Sequence, residues 1–143
     1  MTIHQISVFL ENRAGQLAEI TGILSERHIN LRALNIVETT DYGVLRLIVD
    51  QPETAASILL GQGVILSMTP VVAIGVPDQP GGLAKVLHLI SEAGIDVEYM
   101  YSVFGQGNGK AYMIFRVTDM DKFIAVLNEN GISPATGEEL GIH

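Results

Sequence analysis

Apolar and polar positions along the chain change period several times, and each change marks an element. Ile6, Val8 and Leu10 alternate with Gln5, Ser7 and Phe9, which predicts a strand over residues 3–10. Leu17, Ile20 and Leu24 then recur at spacings of three and four, with Ile23 alongside, predicting an amphipathic helix over Gln16–Arg27. Gly22 falls inside that helix at a cost of roughly 1 kcal/mol against Ala, which a close helix-packing contact would explain. His28 and Asn30 end it, Leu31–Glu38 reads as a second strand, and Val44–Val49 as a third after a turn at residues 39–43. Pro52 suits the first turn of a second helix, which Gly61 and Gly63 stop, and Val64–Thr69 reads as a fourth strand.

The same order returns in the second half. Val72, Ile74 and Val76 mark a strand; Leu83, Val86, Leu87 and Ile90 mark a helix ended by Gly94. Asp96–Phe104 and Lys110–Val117 are strands around a glycine-rich loop at residues 105–109. Asp119 caps a helix that runs through Phe123, Val126 and Leu127 to Gly131, and Ile132–Thr136 is a short last strand. Residues 137–143 show no pattern and are expected to fray.

Shifting the chain by 66 residues superimposes the halves. Gly15, Leu17, Ala18, Ser25, Glu26 and Ile29 fall on the identical residues Gly81, Leu83, Ala84, Ser91, Glu92 and Ile95. Asn12 falls on Asp78 and Asn30 on Asp96. Chance gives roughly one or two identities in such a window, so this is an internal duplication. It predicts a boundary near Thr69-Pro70, with domains over residues 1–69 and 70–143. Each half reads strand–helix–strand–strand–helix–strand, the order of an α+β unit with an antiparallel sheet and both helices on one face. The other face, with Phe9, Val44, Ile48, Tyr112 and Ile114, is too apolar to be left fully wet.

The duplication draws attention to the strand-to-helix turns, Leu10-Glu-Asn-Arg-Ala-Gly-Gln-Leu-Ala18 and Val76-Pro-Asp-Gln-Pro-Gly-Gly-Leu-Ala84. A glycine-containing turn ahead of a helix presents backbone N–H groups and the positive end of a helix dipole. A small carboxylate can be held there without a charged side chain. The bland reading is that the turn needs its glycine and its cap, Asn12 or Asp78, simply to be built.

Charge and composition narrow the choice of partner. The 143 residues carry a formal net charge of −8, which disfavours nucleic acid and anionic membrane surfaces. No apolar run reaches the length of a membrane span, and no signal-peptide pattern opens the chain. The absence of cysteine removes thiol chemistry and suits the cytoplasm. The four histidines are scattered, without metal-ligand spacing, and no nucleophile has a His–acid partner in the pattern. No cofactor is expected. The glycine-rich loop at 105–109 lacks the Lys-Ser/Thr ending and following helix of a phosphate loop.

Ile6–Ala18 with the following helix and His28-Ile-Asn-Leu31 resembles the ACT domain, and Ile74–Ala84 with Gly94-Ile-Asp-Val97 resembles it more closely through its Asp-x-Pro-Gly-x-Leu-Ala turn. The resemblance covers residues 3 to about 136 and leaves no catalytic domain over. It implies two ferredoxin-like βαββαβ repeats that sense a free amino acid at interfaces between paired domains, commonly in a homodimer. Carried over by position, it nominates Asn12, Arg13, Ala14, Gly15, Gln16, Leu17, Asn30 and Leu31 in the first copy. In the second copy it nominates Asp78, Gln79, Pro80, Gly81, Gly82, Leu83, Asp96 and Val97. The Gly15–Leu17 and Gly81–Leu83 amides would meet a ligand carboxylate, and Asn12, Asp78 or Asp96 its ammonium group. The leading expectation is a regulatory amino-acid-binding protein and not an enzyme. The alternative is a regulatory subunit of an amino-acid-biosynthetic enzyme, since the first half is also similar to the acetolactate synthase small subunit. An enzyme of acylphosphatase type shares the fold outline and is a third, more distant reading.

Overall fold

The computed structural model describes residues 2–11, 14–38, 41–105 and 108–143. Within these lie six strands and four α-helices. They are β1 (Ile3–Glu11), α1 (Gln16–Glu26), β2 (Leu31–Glu38), β3 (Tyr42–Val49) and α2 (Pro52–Gly61), followed by β4 (Leu66–Pro77), α3 (Gly82–Glu92), β5 (Val97–Ser102), β6 (Lys110–Val117) and α4 (Met120–Glu129). The chain divides into two compact units. One comprises His4–Thr69 with Gly141–His143, and the other Pro70–Leu140 with the first residues of the chain.

In the first unit β1 pairs antiparallel with β3 (Ile6 opposite Leu47, Val8 opposite Leu45) and β3 with β2 (Leu34 opposite Leu47). The start of β4 lies on the other side of β1, giving the order β2-β3-β1-β4. Ile6, Val8 and Leu10 share one face with Leu45, Leu47 and Val49, and both helices pack there through Ile20, Leu24, Ala55 and Leu59. In the second unit β4 pairs with β6 and β6 with β5. Its core gathers Val72, Ile74, Phe115 and Val117 beneath Val86, Ile90, Phe123 and Leu127. The duplication reaches into backbone detail. The β2–β3 register shifts between Leu31 and Ala33, and the β5–β6 register between Val97 and Tyr99, the same places in each repeat.

All four helices stop the same way. The residue after the C-cap is left-handed, its N–H bonds back to the penultimate turn, and the next residue's N–H reaches the carbonyl before it. For α1 the bonds are His28 N to Ser25 O and Ile29 N to Leu24 O; for α3 they are Gly94 N to Ser91 O and Ile95 N to Ile90 O. Gly63 and Gly131 do this for α2 and α4. Asp119 accepts from Lys122 N at 3.0 Å and caps α4, as its sequence position predicts.

Several expectations are corrected. The strands expected separately over Val64–Thr69 and Val72–Val76 belong to one strand, Leu66–Pro77, that runs through Pro70, whose fixed φ is compatible with extended backbone and which holds Thr69 before it extended as well; Val64 and Ile65 stay outside it. Ile132–Thr136 is not a strand; a single bond from Ala135 N to Ala73 O, 2.7 Å, stands in for the last ladder. Residues 137–143 do not fray. Glu138–Leu140 form a 3-10 turn in which Leu140 is fully buried, Glu139 bonds Thr136, and Tyr112 Oη donates to Glu139 Oε2. Gly22 makes no close packing contact, since a Cβ placed there would have nothing within 4 Å. Of the apolar residues expected on the face away from the helices, Ile48, Tyr112 and Ile114 are buried, Val44 is half-buried, and Phe9 remains 47% exposed.

Candidate functional site

Both strand-to-helix turns end in a left-handed glycine. Gly15 has φ 86° and ψ −7°, Gly81 φ 88° and ψ −10°, and each is the N-cap of the helix that follows. As glycines, neither N-cap supplies a side-chain bond to its helix. Asp78 therefore does not cap α3, contrary to the plain structural reading of the sequence; its N–H bonds Gly109 O at 3.1 Å instead. Asn12 and Arg13 lie outside the described residues. A helix start without a side-chain acceptor leaves its first N–H groups and its dipole to water or to an anion.

In the second copy Gln79 N donates to Pro77 O at 2.8 Å and Gly82 N to Gln79 O at 3.1 Å. The turn closes on itself so tightly that a Cβ at Gly82 would stand 2.2 Å from the Pro77 carbonyl oxygen. Gly82 thus spends its amide inside the turn, and Pro80 has none. In the first copy the same position is Gln16. Its side chain is partly buried, and its Oε1 is buried without a hydrogen-bond partner among the described residues.

Two clefts meet at Gln16. One, of about 230 Å³, is lined by Ala14, Gly15, Gln16 and Leu17 of the turn, with Leu10 and Glu11 of β1, Ile36 and Glu38 of β2, and Tyr42 and Gly43 of β3. The other, of about 410 Å³, lies between the end of β1, the first turns of α1 and the segment Gln62–Ile65 after α2. It adds Phe9, Glu19, Ile20, Ile23, Asp41 and Val64 to the wall. The nominated residues Ala14, Gly15, Gln16 and Leu17 are thus brought together around one concavity.

Other nominated residues are not. Asn30 and Leu31 sit at the far end of α1, whose 11 residues span roughly 16 Å. The Asn30 backbone joins the end of β3: its N–H donates to Asp50 Oδ1 and its carbonyl accepts from Asp50 N, both at 3.0 Å. Asp96 O likewise accepts from Thr118 N at 3.1 Å. Asp96 and Val97 line a separate shallow cleft of about 280 Å³ with Leu87, Ile90 and Ser91. Asp78 lines another, of about 200 Å³, with Ser102, Phe104 and Lys110, in which neither Gly81, Gly82 nor Leu83 takes part.

Sequence reasoning missed the larger wall around Gln16, in particular Glu11, Glu19, Ile23, Tyr42 and Ile65. One signal was available. Phe9 occupies the outward phase of the β1 alternation, after Gln5 and Ser7, where a wet surface would carry a polar residue. Its N–H donates to Ile65 O at 2.9 Å, and Ile65 is 69% exposed. Among the described residues no group of three or more His, Asp or Glu is placed to hold a metal ion, and no helix is long and apolar enough to cross a membrane.

A family model for the ACT domain pair matches residues 1–141. The chain belongs to the ACT domain-pair family. A crystal structure of a Bacteroides thetaiotaomicron protein is 41% identical, covers 99% of this chain and 96% of its own, and superimposes with a TM-score of 0.90. The ligand-free regulatory subunit of aspartate kinase from Thermus thermophilus shares the fold at 16% identity, with 88% and 91% of the two chains covered and a TM-score of 0.59. The corresponding subunit from Thermus flavus does so at 15% identity, over 88% and 90%, with a TM-score of 0.53. Among curated proteins none matches the chain. The two ACT repeats thus have a solved relative along nearly their whole length, and the αα-over-sheet plan of each unit is the one the family resemblance implies.

Proposed function

We propose that this ACT pair is a regulatory protein, not an enzyme, that binds a free amino acid at the glycine turn opening α1. The observation that carries the reading is the turn itself: a left-handed Gly15 as N-cap, which has no side chain of its own to offer the first amides of α1, and a cleft lined by Ala14–Leu17. A carboxylate bound at the Gln16 and Leu17 amides gains hydrogen bonds and the helix dipole together. The matching glycine at the start of α3 supports the same ancestral role for Asp78–Leu83, with Asn30, Leu31, Asp96 and Val97 as strand-entry positions that shape the repeat. Ligand binding to one arrangement of the ACT domains, numbered 1–69 and 70–143, would shift the population toward it, which is the mechanism of regulation proposed here.

The protein acts in this reading as a cytoplasmic homodimer. Edge strand β2 supports that, because Ile36 and Val37 are exposed on it at 38% and 42%. The same strand favours the second reading, a regulatory subunit that docks on an amino-acid-biosynthetic enzyme. A thermal-shift screen against the twenty common amino acids tests the first reading. One amino acid, or a related pair, should raise the melting temperature while the others leave it unchanged. No shift with any of them sinks the sensing reading. A purified chain that stays monomeric at all concentrations by sedimentation removes the homodimer.

A further inference from the structure

Two asparagines of the chain are followed by glycine, Asn108 and Asn130. The side-chain amide of an Asn-Gly step is labile, because the glycine nitrogen can attack the asparagine Cγ with no side chain of its own in the way. Both asparagines are exposed, and both glycines are left-handed, with φ 77° at Gly109 and 73° at Gly131. Exposure and backbone angle are therefore alike, and the two steps differ in their hydrogen bonds.

At Asn130 the nucleophile is occupied. Gly131 N–H donates to Asn128 O at 3.1 Å as part of the stop of α4, and Asn130 Nδ2 donates to Val126 O at 2.8 Å. The side chain is pinned back on the helix, and the attacking N–H must leave the helix stop before it can react. At Asn108 the arrangement is reversed. Gly109 accepts from Asp78 N at 3.1 Å through its carbonyl, while its N–H has no hydrogen bond among the described residues. Asn108 Oδ1 accepts from Lys110 N at 3.1 Å. That oxygen takes the negative charge when Cγ becomes tetrahedral, so a donor already stands on it. Asn108 Nδ2, the nitrogen that would leave, donates to Tyr112 Oη at 2.9 Å, and Tyr112 Oη donates to Glu139 Oε2.

We propose that Asn108-Gly109 is a self-modifying site: the chain converts the Asn108 amide to a carboxylate through its own succinimide, with water as the co-reactant, and this loosens the hold on the segment around Glu139. Gly109 N attacks Asn108 Cγ and forms the new N–C bond. The Cγ–Nδ2 bond breaks, and Nδ2 leaves as ammonia with the proton that Gly109 N gives up. Water then opens the ring at either carbonyl and leaves an aspartyl or isoaspartyl residue. The net reaction consumes one water and releases one ammonia, with nothing oxidised or reduced. The product cannot keep the bonds of the amide, since a carboxylate has no hydrogen to donate to Tyr112 Oη. Tyr112 has one hydroxyl proton, and the new carboxylate competes with Glu139 for it while repelling it. Glu139 also holds Thr136, and its turn carries the buried Leu140.

The experiment ages the whole chain in mildly alkaline buffer and follows both asparagines by peptide mass spectrometry, with an isoaspartate-specific methyltransferase assay as a second readout. Asn108 should convert roughly tenfold faster than Asn130 or more, the rate equivalent of the hydrogen bond that Gly131 N must first break. One ammonia should appear for each Asn108 lost, and the aged chain should be cut faster beyond Asn130 in limited proteolysis than the fresh one. Asn108→Asp should be cut from the start as fast as the aged protein. Asn108→Gln keeps an amide on a side chain one methylene too long for the same ring, so ageing should leave its cleavage rate unchanged. Conversion at Asn130 as fast as at Asn108 would overturn the site. A chain converted at Asn108 but cut no faster than the fresh one would overturn the loosening. Accelerated cleavage of aged Asn108→Gln would overturn it too, by assigning the change to another residue.

Discussion

His28 is the one non-glycine residue with positive φ among the described residues, at 57°. It does for α1 what Gly63, Gly94 and Gly131 do for the other helices, with a Cβ that the left-handed region disfavours by roughly 1–2 kcal/mol. Its side chain is exposed, so little is lost by removing it. His28→Gly should stabilise the protein by about 1 kcal/mol and raise the melting temperature by about 2–4 °C, while His28→Ala should give no comparable gain. A destabilised glycine variant would show that the imidazole makes an interaction of its own. Two other glycines give opposite expectations from the same substitution. Gly22→Ala, exposed in mid-helix with open space around its Cβ position, should gain about 0.8–1.0 kcal/mol. Gly82→Ala, against the Pro77 carbonyl, should lose about 3 kcal/mol or more through overpacking. Chemical denaturation of the two variants side by side checks the pair, and similar effects at both positions would contradict the closed turn.

At the scale of elements, the fourth strand distinguishes the repeats. In the first unit β4 begins beside β1, and Ser7 Oγ meets Thr69 Oγ1 at 2.9 Å across the pair. In the second unit the corresponding segment keeps one backbone bond and a side-chain clamp: Asn108 Nδ2 donates to Tyr112 Oη at 2.9 Å, and Tyr112 Oη to Glu139 Oε2 at 3.3 Å. Pro134 has no N–H to add to a ladder, and Ser133-Pro134 favours a turn, which is the local reason a strand does not form. Tyr112→Phe keeps the buried ring and deletes the clamp. It should cost about 1 kcal/mol and make the chain beyond Asn130 cleave faster in limited proteolysis. Unchanged cleavage would mean that Leu140, fully buried, holds the segment without the tyrosine.

For the whole molecule, the divergence around Gln16 makes the number of sites the informative quantity. Two equivalent turns would take two ligands per chain. A first copy with its cleft and a second copy closed by Gly82 should take one. Isothermal titration with the amino acid found by the thermal screen should therefore give a stoichiometry of one per chain. At about 100 times its dissociation constant that ligand should add roughly 2.7 kcal/mol of stability. Two equal sites per chain would refute the asymmetry, whichever amino acid binds.

The sequence by itself determined the duplication, the α+β order of the first half and of the second as far as its last helix, the helix ends and the two glycine turns. These are local matters, fixed by periodicity, by capping residues and by glycines that tolerate positive φ, and they are legible because such signals sit within a few residues of the structure they cause. It also nominated Gln16, but only as one of a run of turn residues. The tertiary structure decided that Gln16 lies between two clefts with its side-chain oxygen buried and without a partner among the described residues, because β1, β3, α1 and the segment after α2 meet there from distant parts of the chain. It decided that Asn30 and Asp96 tie strand ends together at the other end of their helices, because a helix carries its termini apart however close they stand in a motif. And it decided that Gly82 is a closed position, a matter of backbone approach that no spacing of residue types records.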